Sequence, residues 1–259
     1  MKNYIVSAII EARMDSARLK GKIMKKINRK ELIKILISRL KICKELDNII
    51  IATSKKKSNK KLINFINKNK LKYFQGSEDN VLSRVYKTIN KNKSDIIVRL
   101  TGDNPLIDPF SVDYMVRFFK KNFKKYDYIT NNNFGDILNR KIALGMDISL
   151  FKSKSFEKVF LLAKKKEHYE HPTLFFYREG KKIFKIKNIK LPKKMTLNKK
   201  YRLTVDTKED FLLLKKIVNF YDKHKIKFIS LNDIKFFFKK HPEAININKH
   251  VEQKIVELS

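Results

Sequence analysis

Three segments of the chain carry charged side chains at spacings that suit a phosphorylated ligand. The first, E-A-R-M-D-S-A-R-L-K-G-K, spans residues 11–22 and places Arg13, Arg18, Lys20 and Lys22 within ten positions. Holding a flexible polyphosphate requires several cations and backbone N–H groups on one loop. A solvated basic loop is the alternative, but two of the four cations are arginines in a chain that mostly uses lysine. The segment matches neither G-x-x-x-x-G-K-[ST] nor G-x-G-x-x-G.

The second and third segments supply carboxylates. R-L-T-G-D-N-P-L-I-D-P, residues 99–109, places Asp103 directly after an apolar run. A carboxylate there can bind Mg²⁺ that is held by a phosphate chain. R-L-T-V-D-T-K-E-D-F, residues 202–211, places Asp206 at the end of another short apolar run. Either aspartate could instead form a turn or cap a helix, as we expect of Asp108.

Apolar runs and amphipathic stretches predict the elements that must position these side chains. In the first half we expect strands at 4–10, 48–53, 72–74 and 95–100, and helices at 31–44, 60–70 and 80–90. Buried strands that alternate with helices indicate an α/β fold, a mainly parallel Rossmann-like sheet with helices on both faces. Ligands of such sheets bind at the carboxyl ends of the strands, which selects the segments after Ile10, Thr53 and Leu100.

The second half of the chain is less regular. We expect strands at 126–130, 182–189 and 201–205, a strand or hairpin at 143–151, and helices at 156–166, 208–221 and 230–240. Thr207 is expected to cap the helix at 208–221, with Asp210 at its N3 position. Because no linker rich in Gly, Pro or Ser is visible, we predict a single domain over 1–241. Residues 131–151 are a possible hairpin excursion, and residues 242–259 are expected to form a loose tail.

Composition limits the class of protein. Of the 259 residues, 61 are Lys or Arg and 26 are Asp or Glu, which gives a net charge of +35, while 42% are hydrophobic. That apolar share can form a core, so wholesale disorder is excluded. The charge keeps a nucleic-acid-binding protein open as an alternative. However, the lysines are spread along the chain together with Asn, Ile and Phe, as a bias toward A/T-rich codons would produce, rather than sorted into a stripe.

Neither export nor membrane insertion is predicted. Cys43 is the single cysteine, which excludes an internal disulfide and fits a reducing compartment. No uninterrupted apolar stretch approaches the roughly 18 residues of a spanning helix. The apolar run before Ile10 is too short for a secretory signal. We therefore expect a soluble, cytoplasmic protein.

Six motifs, taken in order along most of the chain, resemble one enzyme family. They are A-R-x-x-S-x-R-L-x-x-K (12–22), G-S-E-D-N-V-L-S-R (76–84), R-L-T-G-D-N-P-L-I-D-P (99–109), L-G-M-D-I (144–148), E-H-P-T (170–173) and V-D-T-K-E-D (205–210). Together they resemble the cytidylyltransferases that activate acidic sugars, among them the CMP-Kdo and CMP-sialic acid synthetases. The spore-coat polysaccharide SpsF-type branch is the most similar. The implied fold is that of the nucleotide-diphospho-sugar transferases.

The resemblance implies Mg²⁺-dependent transfer of CMP from CTP to an ulosonic or nonulosonic acid, with release of pyrophosphate, for surface polysaccharide biosynthesis. Arg13, Arg18 and Lys22 would hold the triphosphate and the leaving pyrophosphate. Asp103 and Asp206 would bind Mg²⁺. In this assignment Arg13, Lys22 and Asp103 are the catalytic residues.

Further roles follow from the same resemblance. Ala12, Ser16, Ser77, Asp79 and Arg84 would contact the nucleotide or shape its pocket. The sugar substrate would meet Asp147 and His171, although His171 could equally be a structural residue before Pro172. A homodimer formed through residues 131–151 is also implied.

The chain departs from the family pattern at four positions. Asp15 replaces a usual Gly, Lys20 a usual Pro, Glu11 a usual Gln, and Ser149 a Glu that relatives often carry. An acidic Asp15 inside a triphosphate loop would repel the ligand unless it points away or meets a metal. The departures leave open a nucleotidyltransferase for another sugar or nucleotide, and an inactive relative that acts as a scaffold.

Overall fold

A seven-stranded sheet sets the position of the candidate site. The structure, a computed structural model, describes residues 3–136, 139–226 and 228–253. In chain order the strands are β1 (Val6–Glu11), β2 (Lys26–Ile27), β3 (Lys30–Glu31), β4 (Asn48–Ser54), β5 (Lys72–Gly76), β6 (Ile96–Thr101), β7 (Tyr128–Thr130), β8 (Ser149–Lys152) and β9 (Ile186–Asn188). The main sheet has the order β5-β4-β1-β6-β8-β7-β9, and β2 pairs with β3 in a separate antiparallel hairpin.

The four strands predicted in the first half form the parallel part of the sheet. β5, β4, β1 and β6 all run in the same direction. β8 runs antiparallel to both β6 and β7, and β9 is parallel to β7. The prediction of a mainly parallel α/β sheet is therefore confirmed. Because β1 lies between β4 and β6, the carboxyl ends of all three strands meet at one edge.

Helices pack on both faces of the sheet. In the described part of the chain the α-helices are α1 (Leu32–Leu40), α2 (Lys60–Lys68), α3 (Val81–Asn92), α4 (Pro109–Lys121), α5 (Ser153–Leu162), α6 (Lys166–Glu170), α7 (Leu174–Tyr177), α8 (Lys208–Lys223) and α9 (Leu231–Lys240). Val6, Ala8 and Ile10 pack with α1, α2 and α4, whereas Ile9 packs with α3, α5 and α7. This alternation is that of a strand buried on both faces. Among the described residues, no helix has the length and apolarity needed to span a membrane.

A third apolar cluster joins α8 and α9 to the segment that follows them. Short 3₁₀ turns lie at Lys22–Met24, Lys57–Asn59, Asn133–Gly135, Glu179–Lys182, Lys193–Met195 and Pro242–Ile247. In the last of these, Ala244 is buried in the same cluster as Ile217 and Phe237. Asn248 is also buried. Residues 242–253 are thus packed against the domain rather than forming the loose tail expected from the sequence, and residues 254–259 lie outside the described part.

The second half differs from the sequence expectations where strands are short. Of the stretch 143–151, which was expected to be a strand or hairpin, residues 149–151 lie in β8, which pairs inside the main sheet with β6 and β7. The connection from β7 to β8 includes residues 137–138, which lie outside the described part. The strand expected at 201–205 is reduced to an isolated bridge between Leu144 and Arg202. These pairings depend on neighbours far away in the chain, which local periodicity does not report.

Candidate active site

An open cleft of about 750 Å³ lies at the carboxyl ends of β1 and β6. The sheet topology predicts a ligand at this position. The wall of the cleft combines all three charged segments: most of the loop after β1, the turn after β6, and Thr204 with Asp206. Residues of the stretches 144–147 and 166–171, together with Val81, Arg84, Arg99 and Gln253, complete it. The structure therefore brings together the segments that the sequence singled out.

The loop after β1 is fixed by backbone hydrogen bonds. Gly21 has a φ of 67°, which favours glycine, and its N–H donates to the carbonyl of Met14 at 2.8 Å. The Met14 N–H in turn donates to Asn59 Oδ1 at 2.8 Å. Leu19 is buried beneath the loop. The loop thus closes on itself, and Lys22 follows directly at the start of a 3₁₀ turn.

The ammonium group of Lys22 lies between two carboxylates. Its Nζ donates to Asp103 Oδ2 at 2.6 Å and to Asp206 Oδ1 at 2.8 Å. Arg18 adds an ion pair with Asp206 Oδ2 at 3.0 Å. Burial would lower the pKa of Lys22, but the two negative charges raise it above its usual value. Burial would likewise raise the pKa of Asp206, but Lys22 and Arg18 lower it. Lys22 and Asp206 are therefore charged at neutral pH.

A backbone hydrogen bond joins the two segments that carry these carboxylates. The Val205 N–H donates to the carbonyl of Asp103 at 2.8 Å. The turn after β6 also approaches β1 closely, because a Cβ at Gly102 would lie 3.1 Å from Ala12 Cβ. Asp103 and Asp206, 103 residues apart in sequence, are thereby both held within hydrogen-bond distance of one ammonium group.

Gly145 is required for the approach of the cleft wall to residues 203–204. Its φ is 95°, and a Cβ there would lie 2.6 Å from Thr204 N and 2.7 Å from Leu203 C. We expect Gly145→Ala to lower the free energy of unfolding by more than about 1 kcal/mol, since the strained φ and a backbone clash act together. Urea denaturation measures this change.

Gly135→Ala is the matched control for this prediction. Gly135 also has a positive φ, 79°, but among the residues that the structure describes, a Cβ there would meet only the Tyr177 side chain. It should therefore cost less than Gly145→Ala. Equal losses of stability would show that the contact with residues 203–204 is not rigid.

A buried hydrogen-bond network, which was not predicted from the sequence, contacts Asp206. Arg202 Nη2 donates to Asp206 Oδ2 at 2.9 Å, and Arg202 Nε donates to Asp210 Oδ1 at 2.9 Å. Asp210 also forms the predicted capping box with Thr207 at the start of α8. The capping role is confirmed, and the contact with Arg202 is additional. The spacing of four between Arg202, Asp206 and Asp210 was the available signal.

The other predicted nucleotide-binding arginines lie at the side of the cleft next to α3. Arg13 forms an ion pair with Glu78 at 2.7 Å. Arg84 donates to the carbonyl oxygens of Ser77 and Glu78, and burial lowers its pKa. Glu78 was not among the residues predicted from the sequence to bind the nucleotide.

Most of the remaining predicted residues line the cleft, and two do not. Ala12, Ser16, Asp147 and His171 are in its wall. Ser77 and Asp79 are exposed and lie outside that wall. The Ser77 hydroxyl accepts from the Asn80 N–H at 3.1 Å, just before α3. The contacts of Ser77 and Asp79 with the nucleotide stay a prediction.

Two further ion pairs involve residues of the cleft wall. Arg99 on β6 donates to both carboxylate oxygens of Glu11 on β1, at 2.6 and 2.9 Å. Arg140 donates to Asp147, whose pKa is nevertheless raised, chiefly by burial. The glutamate that replaces the family's Gln is thus neutralised by a partner on the neighbouring strand.

Asp15, the acidic residue at which the loop after β1 departs from the family pattern, contacts Ser58 and Lys56. The Ser58 hydroxyl donates to Asp15 Oδ2 at 2.8 Å, and Lys56 Nζ lies 3.9 Å from the same oxygen. Ser149, another position at which the chain departs from the family pattern, is buried in β8 and forms hydrogen bonds with Tyr128 and Thr130. It is not part of the cleft wall.

A mainly parallel sheet whose strand ends combine paired carboxylates with clustered cations is suited to bind a metal-bound nucleotide, as a nucleotidyltransferase must. The family described as cytidylyltransferase matches residues 7–250, and the chain belongs to that family. A solved cytidylyltransferase from Leptospira borgpetersenii superposes with a TM-score of 0.84 at 30% identity, covering 98% of this chain and all of that one.

Two curated relatives illustrate the range of the family. The spore coat polysaccharide biosynthesis protein SpsF of Bacillus subtilis is 34% identical over 214 residues, covering 80% of this chain and 83% of its own length. An 8-amino-3,8-dideoxy-manno-octulosonate cytidylyltransferase of Shewanella frigidimarina is 28% identical over 126 residues, covering 48% of this chain and 51% of its own. The resemblance noted in the sequence is thereby confirmed at the level of the family.

Proposed function

We propose that the protein transfers CMP from CTP to an acidic sugar of the ulosonic or nonulosonic class, with Mg²⁺ and with release of pyrophosphate, for surface polysaccharide biosynthesis. The observation that carries the proposal is the meeting of Asp103 and Asp206 on the ammonium group of Lys22, beside Arg18 in the cleft. A metal-bound triphosphate needs both kinds of group: carboxylates for the cation, and cations for the phosphates.

The two aspartates fit a divalent cation. Their oxygens are hard donors of the kind Mg²⁺ prefers, and they converge on one positive charge at 2.6 and 2.8 Å. A bound Mg²⁺ would supply Lewis-acid polarisation of phosphate oxygens and a template for the reacting groups. Because the same oxygens now accept from Lys22, the ammonium group would exchange a carboxylate partner for the phosphate chain.

The cations of the chain would neutralise the phosphates and the leaving group. The oxygen of a sugar hydroxyl group attacks the α-phosphorus in line and forms a new P–O bond, while the hydroxyl proton passes to solvent. The bond from the α-phosphorus to pyrophosphate breaks, and pyrophosphate leaves with the electron pair. Catalysis then consists mainly of positioning and charge stabilisation. Arg13, Arg18 and Lys22 are each paired with a carboxylate, at 2.7, 3.0 and 2.6 Å, which keeps them ordered before the ligand arrives.

The sugar would bind at the end of the cleft lined by Asp147 and His171. Support for a sugar acid comes from the Shewanella relative, whose name specifies an octulosonate. Support for a polysaccharide pathway comes from the Bacillus relative.

Purified protein with Mg²⁺ is expected to release pyrophosphate from CTP when the correct sugar acid is present. A panel of ulosonic and nonulosonic acids, assayed with a coupled pyrophosphate reaction, checks this expectation. Thermal shift with CTP, UTP, GTP and ATP, each with Mg²⁺, tests which nucleotide the protein prefers. No release across the panel would contradict the proposed reaction, and stronger stabilisation by another nucleotide would contradict the choice of CTP.

A further inference from the structure

The segment that follows α9 reaches the cleft through a chain of buried polar contacts. Asn248 Nδ2 donates to Asp210 Oδ1 at 2.8 Å and to the carbonyl of Arg202 at 3.0 Å. Gln253 Oε1 accepts from Arg202 Nη1 at 2.8 Å. Arg202 in turn donates to Asp206. Two residues from the segment expected to be a loose tail therefore contact the groups that hold Asp206.

Asp210 is the centre of this chain of contacts. Its side chain is fully buried, and its carboxylate accepts from Arg202, from Asn248, and from the N–H groups of Asp206 and Thr207 at 2.9 and 3.1 Å. Helix capping alone requires only the contact with Thr207. The other donors connect Asp210 to both ends of the stretch 202–206, and so determine where the Asp206 carboxylate lies.

A buried charge is costly unless all of its partners are in place. Arg202 and Asp210 have side-chain exposures of 6% and 0%. Removal of the Asn248 amide would leave the Asp210 carboxylate and the backbone carbonyl of Arg202 each without one donor, and the stretch that carries Asp206 would shift to recover one. Partners that orient a metal ligand commonly change metal affinity by about 10- to 100-fold when they are mutated.

We infer that Asn248 and Gln253 are positioning residues for Asp206, acting through Arg202 and Asp210, so that the segment 242–253 is part of the active site. The inference rests on the proposed metal role of Asp206. The hydrogen-bond network itself is independent of that role, which allows the two to be tested separately.

Asn248→Asp tests the inference with little change in side-chain size. It replaces the donating amide by an acceptor that faces Asp210. Asn246→Asp, at an exposed position two residues earlier, introduces the same charge and is the matched control. A negative charge alone would attract a cation, so weaker metal binding in Asn248→Asp would have the opposite sign to the direct electrostatic effect of the substitution.

Two measurements are made on both variants and on wild type: the dissociation constant for Mn²⁺ alone, from the electron paramagnetic resonance of free Mn²⁺, and amide hydrogen exchange of Asp206 and Thr207. We expect Asn248→Asp to raise the Mn²⁺ dissociation constant about 10-fold or more and to speed exchange of both amides. Asn246→Asp should resemble wild type. Gln253→Ala, which removes one contact at a half-buried site, should act in the same direction but more weakly.

The outcomes separate this inference from the proposed function. Wild-type Mn²⁺ affinity or unchanged amide exchange in Asn248→Asp would overturn the positioning role, whatever the enzyme's substrate. Wild-type protein that binds no Mn²⁺ would overturn the metal role of Asp206 and the inference with it. Metal binding and the expected changes, found together with failure to use CTP, would leave the inference standing and refute only the proposed reaction.

Discussion

Asp103→Asn is expected to lower Mg²⁺-dependent kcat/KM by about 100-fold or more while the protein remains folded. The amide has nearly the same shape as the carboxylate but carries no charge, so it binds a divalent cation poorly. Partners of metal ligands already change activity by about 10- to 100-fold, and a direct ligand should reach at least the upper end of that range. Lys22 keeps Asp206 as a partner in this variant, at 2.8 Å, which preserves the local structure.

Asp108→Asn is the control for this prediction, because it makes the same change five residues later. Asp108 caps α4 through the Ser111 N–H at 2.8 Å and is not in the cleft wall. Asparagine caps helices about as well as aspartate, so activity should be retained. Steady-state kinetics over a range of Mg²⁺ concentrations measure both variants. Full activity in Asp103→Asn would refute the metal assignment.

Lys22→Met is expected to change catalysis and metal binding in opposite directions. Loss of the ammonium group removes a cation from the phosphates, and loss of one such electrostatic contact typically costs about 10²- to 10³-fold in rate. In the absence of nucleotide, however, Lys22 occupies the oxygens of both Asp103 and Asp206. Removing this competitor should strengthen the binding of Mn²⁺ alone while turnover falls.

Lys20→Met is the matched control on the same loop. Lys20 is exposed and lies outside the cleft wall, so its loss changes the net charge by the same amount without touching the carboxylates. We expect near-normal turnover and Mn²⁺ affinity. Similar losses of activity in Lys20→Met and Lys22→Met would show that general charge, rather than the contact with Asp103 and Asp206, is responsible.

The first half of the fold could be predicted because its signals are local. Residues 4–10, 48–53 and 95–100 are continuous apolar runs, and strands buried on both faces of a parallel sheet require such runs. β7 and β9 have only three residues each, and their partners are set by packing rather than by pattern. The stretch 242–253 has neither a long amphipathic period nor a strand pattern, so its docking against α8 and α9 was invisible in the sequence.

Most of the charged residues at the candidate site could be predicted from the sequence. Arg13, Arg18, Lys22 and Asp103 stand out because each lies just after a run that must be a buried strand, and parallel strands end at one edge. The same reasoning reduces the net charge of +35 to a few informative cations, since most of the lysines have no special position. Asp206 stood out at the end of a short apolar run as well, and the family resemblance implied its metal role.

Only the tertiary structure decided which charges meet. Lys22 bridges Asp103 and Asp206 because the Val205 N–H binds the carbonyl of Asp103, a contact between segments about a hundred residues apart. Arg202 and Asp210 contact Asp206 in the turn that leads into α8. Ion pairs and buried hydrogen bonds depend on distances of a few ångströms in space. For segments that are far apart in the chain, the spacing of residues carries no such information until the sheet and its helices have packed.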